Sequence, residues 1–122
     1  MNNEINSEIN KITQKYGLTY DEILGGSRTF KIALVRGLLC YILRLHGLVY
    51  TEIGERLGNL HYSTVIYHTQ KLSALVDANY HPTNLTERDV INTAREYRAK
   101  YNEAYRPSAL RSGRILKTNL SI

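Results

Sequence analysis

The sequence has a single cysteine in its 122 residues, which excludes an internal disulfide bond. Cys40 lies in the apolar run GLLCYIL, where a buried structural thiol is expected. The most apolar segment is interrupted by Arg36 and Arg44 and is therefore too short to cross a bilayer. Residues 1–11 lack the basic and apolar regions of a signal peptide. These absences predict a cytoplasmic protein.

A catalytic or metal-binding arrangement is also lacking. His61 and His68 could share a helical face, but a zinc site needs further ligands at close spacing. Cys40 is a poor candidate nucleophile, because burial in an apolar helix raises the pKa of a thiol. No G-x-x-x-x-G-K-[ST] phosphate loop occurs in these residues. We expect no enzymatic activity, no metal, no cofactor and no bound nucleotide.

Acidic residues are absent after Glu103, and this biases the charge distribution. The net charge is +5, and the pI is near 9.4, which permits a polyanionic partner. Much of the excess lies in a tail that is expected to be mobile and that carries four basic residues, Arg106, Arg111, Arg114 and Lys117. The globular part is therefore only mildly basic, and the tail could add non-specific phosphate contacts.

Apolar residues recur at helical spacing along most of the chain. Ile5, Ile9, Ile12 and Tyr16 predict a first helix that Gly17 ends. Residues 19–22 match a capping box for a short helical turn. Ser27 is expected to cap a long helix over about 28–45, and Thr86 to start a last helix that Pro107 ends.

Tyrosines form much of the apolar stripe of the last helix. Val90, Ala94, Tyr97, Tyr101 and Tyr105 follow the helical period. The tyrosines could pack on the core, form a dimer contact or stack on bases.

Between these helices lies a pattern typical of a helix-turn-helix. Thr51 is expected to cap a short helix that ends at Gly58-Asn59, and residues 62–76 form a longer helix. Its packing face holds Val65, Thr69, Leu72 and Val76. The other face is polar, so its first turns could enter a DNA major groove. An ordinary helical hairpin gives the same pattern.

The stretch EIGERLGNLHYSTVIYHTQKL, 52–72, resembles the C-terminal DNA-binding domain of the bacterial replication initiator DnaA. That family has an Ile-Gly pair, a Gly-Gly-Arg-Asp-His turn, two hydroxyl residues with Val, then His and a basic residue. The matching residues are Ile53, Gly54, Gly58, Ser63, Thr64, Val65, His68 and Lys71. The similarity extends from Ile9 to Leu75, where Arg36 corresponds to a phosphate-contacting position and Arg28 to a minor-groove position.

The sequence departs from the family in the turn, where Leu60, His61 and Tyr62 replace Arg, Asp and His. The missing Arg removes a bidentate guanine contact, so the familiar DnaA-box sequence is not the expected target. His61 and Tyr62 can still donate hydrogen bonds to DNA, and Leu60 could touch a thymine methyl. The candidate DNA-binding residues are Arg28, Lys31, Arg36, Tyr50, Thr51, Leu60, His61, Tyr62, Ser63, Thr64, His68 and Lys71.

The predicted fold is an all-α compact bundle of about five helices containing a helix-turn-helix, with a C-terminal helix and a flexible basic tail. We expect a DnaA-like domain over 1–78, an additional helix over 79–105 and the tail over 106–122. The resemblance implies a stand-alone replication or transcription accessory factor, of bacterial or phage type, that binds double-stranded DNA. A homodimer or another protein partner could use the C-terminal helix. The alternative is a protein-interaction module that keeps the fold without DNA binding, favoured by the apolar Leu60 at the turn.

Overall fold

All regular secondary structure in the described part of the protein is α-helix. The computed structural model describes residues 2–25, 29–78 and 80–105, with side chains for 4–25, 29–78 and 80–101. Its helices are α1 (Asn2–Lys15), α2 (Tyr20–Leu24), α3 (Phe30–Leu45), α4 (Tyr50–Arg56), α5 (Tyr62–Asp77) and α6 (Leu85–Tyr105). The predicted all-α class is confirmed, with six helices in these ranges. Each of them is too short or too polar to cross a bilayer.

The first two helices form as their sequence patterns predict. All four apolar residues of the predicted α1 stripe are buried, and Gly17 reverses the chain with a φ of +69°. Thr19 and Glu22 form the complete capping box at the start of α2, each side chain accepting from the backbone N–H of the other. Ile23 of α2 is fully buried, so this short helix anchors the chain before the next loop.

The long α3 is the centre of the core. All nine residues from Val35 to Leu43 are buried, and α1, α2, α4, α5 and α6 all pack against this helix. Because α3 is surrounded, its apolar residues are not confined to one face. The predicted central rod is therefore confirmed, and the elements that carry candidate functional residues are mounted on it.

The starts of α3 and α4 differ from the predicted ones. The structure places Thr29, not Ser27, at the N-cap of α3, and Ser27 lies outside the described residues. Val49 occupies the N-cap of α4, so Thr51 lies within that helix. Neither observed cap residue makes a side-chain cap hydrogen bond. Tertiary packing therefore fixes these boundaries.

The start of α6 is also corrected. Asn84 Oδ1 accepts a hydrogen bond of 2.8 Å from the backbone N–H of Glu87, and Arg88 N–H donates to the Asn84 carbonyl. This is N-cap geometry, so Thr86 lies inside the helix. The predicted end at Pro107 lies outside the described residues.

A buried polar cluster joins α1, the end of α3 and α6. Glu8 is buried on α1, where its carboxylate accepts from Tyr97 OH at 2.6 Å. His46 Nε2 lies 3.0 Å from Glu8 Oε2 and 2.7 Å from Tyr101 OH. Lys11 Nζ lies 3.4 Å from the same carboxylate. Of the alternatives for the tyrosine stripe, these contacts favour packing for Tyr97 and Tyr101, while the side chain of Tyr105 is outside the description.

Two arginines of α6 hold the far end of α5. Arg95 donates to the carbonyl of Tyr80 at 2.9 Å and to that of Leu75 at 3.4 Å. Arg98 forms an ion pair with Asp77, the last residue of α5. Cations near a helix C-terminus are favourable because carbonyl groups there lack helical partners. Contacts with α6 thus hold the C-terminal end of α5 in place.

We predict that Glu8 makes the stability of the fold pH-dependent. Burial raises the pKa of Glu8, but hydrogen bonds from Tyr97 and His46 and the charge of Lys11 lower it more, to below its ordinary 4.5. The ionised carboxylate therefore stabilises the fold fully above pH 4.5, and this contribution is lost as pH falls through the folded-state pKa. Glu8→Gln should cost about 1 to 3 kcal/mol at pH 7.

Urea denaturation between pH 3 and pH 7 checks this. The difference between wild type and Glu8→Gln should shrink as pH falls below 4.5. Glu4→Gln, an exposed change on the same helix, should differ little from wild type throughout. A Glu8→Gln difference that stays constant over the whole range contradicts the proposed contribution of the carboxylate.

Candidate nucleic-acid interface

The connection between α4 and α5 is a tight turn with left-handed backbone. Gly58 has a φ of +101° and Asn59 a φ of +59°, as the Gly-Asn pair predicts. The chain then returns to α4, because Leu60 N–H donates to the Gly54 carbonyl at 3.0 Å. This hydrogen bond sets where α5 begins relative to α4.

Gly54 permits that close return. A Cβ atom on Gly54 would lie 2.2 Å from the Leu60 carbonyl oxygen, much closer than any side chain allows. Beneath the turn, Ile53, Leu57 and Val65 are completely buried. The α4 and α5 helices thus share a small apolar core, and the turn can pass this close to α4 only because residue 54 is a glycine.

The start of α5 is held by a histidine cap. His61 Nδ1 accepts from the backbone N–H of Ser63 at 3.1 Å and lies 2.8 Å from Ser63 Oγ. The Tyr62 ring lies against the imidazole, with centroids 4.5 Å apart and planes tilted by 30°. His61, Tyr62 and Ser63 are all exposed. They form the leading edge of α5.

One exposed line runs along α5 from this edge. Ser63, Tyr67 and Lys71 are spaced by four residues and exposed, which places them on the same side of the helix. Lys71 Nζ lies 5.6 Å from the centroid of the Tyr67 ring. Residues 62–76 contain no Asp or Glu, and Asp77 is paired with Arg98. Tyr67 was not among the predicted site residues, although its spacing from Ser63 and Lys71 signals the shared face.

A cleft of about 480 Å³ lies behind the turn, lined by Ile23, Leu24, Arg36, Leu57, Gly58, Leu60, Thr64 and His68. Arg36 is buried, and its Nε and Nη2 donate to the Ile23 carbonyl at 3.1 and 2.7 Å. Its guanidinium therefore ties α3 to α2. Burial lowers the pKa of His68, and the charges of Arg36 and Lys71 lower it further, so His68 is neutral at pH 7.

The remaining predicted residues that the structure describes lie on other helices. Lys31 is exposed and lines a separate cleft with Lys15 and the start of α6. Tyr50 lies under the guanidinium of Arg44, 4.6 Å from it, and Thr51 is exposed on α4. Arg28 and the basic tail residues Arg106, Arg111, Arg114 and Lys117 lie outside the described residues. The structure therefore brings together the turn and α5 residues, with Arg36 beneath them.

The sequence of this region matches a known family. Residues 6–72, more than half of the chain, match the family described as the bacterial DnaA protein helix-turn-helix. The chain belongs to this DnaA helix-turn-helix family. The match runs from α1 into α5 and includes the whole turn, so the predicted resemblance is confirmed.

Individual DnaA proteins match the same region. The chromosomal replication initiator protein DnaA of Thermus thermophilus is 32% identical over 72 residues, covering 58% of this chain and 16% of that protein. The DnaA protein of Clavibacter sepedonicus is 33% identical over 69 residues, covering 56% and 14%. The chain thus spans less than a fifth of the length of these relatives. No solved structure matches it.

The family assignment separates two parts of the structure. The DnaA match covers the turn, the leading edge of α5 and the buried Arg36, but ends at residue 72. All of α6 lies beyond that match, including the arginines that hold α5 from behind. The helix-turn-helix is therefore the shared part, and α6 is a support outside it.

We predict that Gly54→Ala disrupts the turn. The added methyl group must displace the Leu60 carbonyl, so the variant should lose about 2 to 3 kcal/mol of unfolding free energy. Chemical denaturation followed by circular dichroism measures this loss. Gly25→Ala serves as a milder comparison, because Gly25 has a φ of −75° that any residue adopts and its added Cβ would lie 3.2 Å from the nearest carbonyl oxygen, that of Asp21. Equal stabilities for the two variants contradict the proposed role of Gly54.

Proposed function

We propose that this chain binds double-stranded DNA, with the first turns of α5 in the major groove. The observation that carries the proposal is that the exposed face of α5 has no acidic residue and begins directly after the tight turn. A helix entering the major groove needs short polar side chains at its start, because long ones hold the backbone away from base edges. Ser63 has this character and is exposed.

The charge pattern supports this orientation. The line of Ser63, Tyr67 and Lys71 offers a hydroxyl, a phenol and an ammonium group to a phosphate backbone. Of the two acidic residues of α4, Glu55 is exposed, whereas Glu52 pairs with Arg56, whose guanidinium also reaches Asn6 on α1. The approach to the leading edge is therefore not opposed by the Glu52 carboxylate.

Arg36 has a positioning role in this proposal. Two of its N–H groups are bound to the Ile23 carbonyl, and its side chain is buried beneath Thr64 and His68. We propose that it supports the turn and α5 from within the cleft, while exposed groups contact DNA. Lys31, Tyr50, Thr51 and Arg28 remain proposed contributors outside the leading edge.

The biological role we propose is that of a replication or transcription accessory factor of bacterial or phage type. The support is the similarity to chromosomal replication initiators over the helix-turn-helix. A protein-binding role without DNA is less well supported, because Leu60 is half-buried and packs against the core. Of the tyrosines proposed for a dimer contact, Tyr97 is engaged by Glu8 and Tyr101 by His46.

We predict that DNA binding is salt-dependent and requires α5. Affinity for random duplex DNA should fall steeply with salt as counterions return to the phosphates. The double variant Ser63→Glu, Lys71→Glu should weaken binding at low salt by at least about 100-fold, because it places acidic groups against phosphates. Fluorescence anisotropy over a salt series measures both effects.

A control with the same change in net charge shows whether weaker binding results from the position of the substitutions or from the charge alone. Asn92→Glu with Lys100→Glu introduces the same charge change at exposed positions of α6, and it should bind nearly as wild type does. Equal losses in the two double variants contradict an interface on α5. If the wild type does not bind duplex DNA even at low salt, the proposed function fails and a protein partner becomes the better explanation.

A further inference from the structure

The cap at the start of α5 determines the tautomer of His61. The backbone N–H of Ser63 can only donate, so the nitrogen that accepts from it, Nδ1, must carry a lone pair. In the neutral imidazole the proton is then on Nε2. The short distance from Nδ1 to Ser63 Oγ fits a second donor, the Ser63 hydroxyl, on the same side of the ring. One ring nitrogen is therefore fully used by the helix.

The other ring nitrogen is free to contact a ligand. His61 is exposed, and its Nε2 has no hydrogen-bond partner among the residues that the structure describes. The ring cannot turn over without breaking the cap, and the Tyr62 ring packs against it. The His61 carbonyl is fixed as well, because it accepts from the N–H groups of Thr64 and Val65. The leading edge thus presents one oriented N–H donor.

A fixed donor distinguishes the bases of the major groove. The groove edge of guanine carries two acceptors, N7 and O6, and no donor. Adenine places an amino group beside its N7, thymine offers the single acceptor O4 beside a methyl group, and cytosine presents only an amino donor. Nδ1 cannot accept from those amino groups, because it already accepts from Ser63. A fixed donor therefore excludes cytosine, and guanine suits it best because guanine has two acceptors and no neighbouring amino or methyl group.

We propose that His61 is a specificity-determining residue that reads a guanine of the target duplex by donating from Nε2. This inference rests on the proposed DNA-binding function and adds the base that the leading edge selects. It also explains how a turn without the arginine of its DnaA relatives can select a sequence. The reading group is then the same residue that caps the helix.

The test is an in vitro selection from a random duplex library with wild type and His61→Asp. Asp is a good N-cap, so the helix start is preserved, but it replaces the donor with an acceptor that suits the cytosine amino group. The preferred base at one position should change from guanine to cytosine. Asn59→Asp adds the same charge in the turn and should weaken binding without changing that preference. Thermal melts verify that each variant is folded.

A second measurement uses the unmodified protein. Each guanine of the selected duplex is replaced in turn by 7-deazaguanine, which lacks the N7 acceptor. One replacement should weaken binding about three- to tenfold, the loss of a single neutral hydrogen bond. The inference is overturned if His61→Asp selects the same sequence as wild type and no replacement matters. It is also overturned if wild type binds without any base preference, as a phosphate contact from Nε2 would produce, although DNA binding itself would stand. Absence of all DNA binding by wild type instead rejects the proposed function.

Discussion

The approach of the Leu60 carbonyl to Gly54 is the constraint on which the arrangement of this protein depends. It allows the chain to leave α4, reverse through Gly58 and Asn59, and start α5 within hydrogen-bonding distance of the helix it has just left. Ile53, Leu57 and Val65 are then completely buried beneath the turn. Because packed interiors have few alternative arrangements, this one contact fixes both the direction of α5 and the position of His61 at its start.

Support from the opposite side comes from contacts outside the DnaA match. A helix that presents a polar face to a ligand has only its other face for packing, so α5 depends on its neighbours for rigidity. The α3 helix supplies the apolar contacts, while Arg95 and Arg98 of α6 hold its C-terminal end. The cluster around Glu8 in turn ties α6 to α1 and α3. The position of α5 thus depends on two sets of contacts, the apolar ones with α3 and the polar ones made by α6.

Hydrophobic periodicity was sufficient to predict the longer helices and, for α1 and α5, which face is buried. The stripes of α1 and α5 required only the 3.6-residue period, and the turn required only a Gly-Asn pair. The helix starts were not predictable in the same way. Thr51 and Thr86 have good capping side chains, but the starts lie at Val49 and Asn84, because tertiary contacts decide which residue leaves the helix.

Long-range contacts also explain what the sequence could not reveal about the site. A basic residue within the DnaA match suggests a phosphate contact, and nothing local shows that Arg36 is directed at the Ile23 carbonyl. The cap at His61 is equally hidden, since histidine is not among the residues usually favoured at an N-cap. Only the geometry shows that its Nδ1 takes this role and leaves Nε2 outward.

If His61 reads a base as proposed, its double use restricts how such a domain can change its target. A residue that only reads bases can be replaced by any side chain with suitable donors or acceptors. A residue that also caps α5 must keep an acceptor for the Ser63 N–H, or the helix loses about 1 kcal/mol at its most exposed end. Asp, Asn, Ser, Thr and His satisfy that requirement, and among them Asp offers an outward acceptor whereas a capping His offers an outward donor. The exchange of Asp for His at this turn therefore inverts the hydrogen-bonding character of the leading edge while α5 keeps its start.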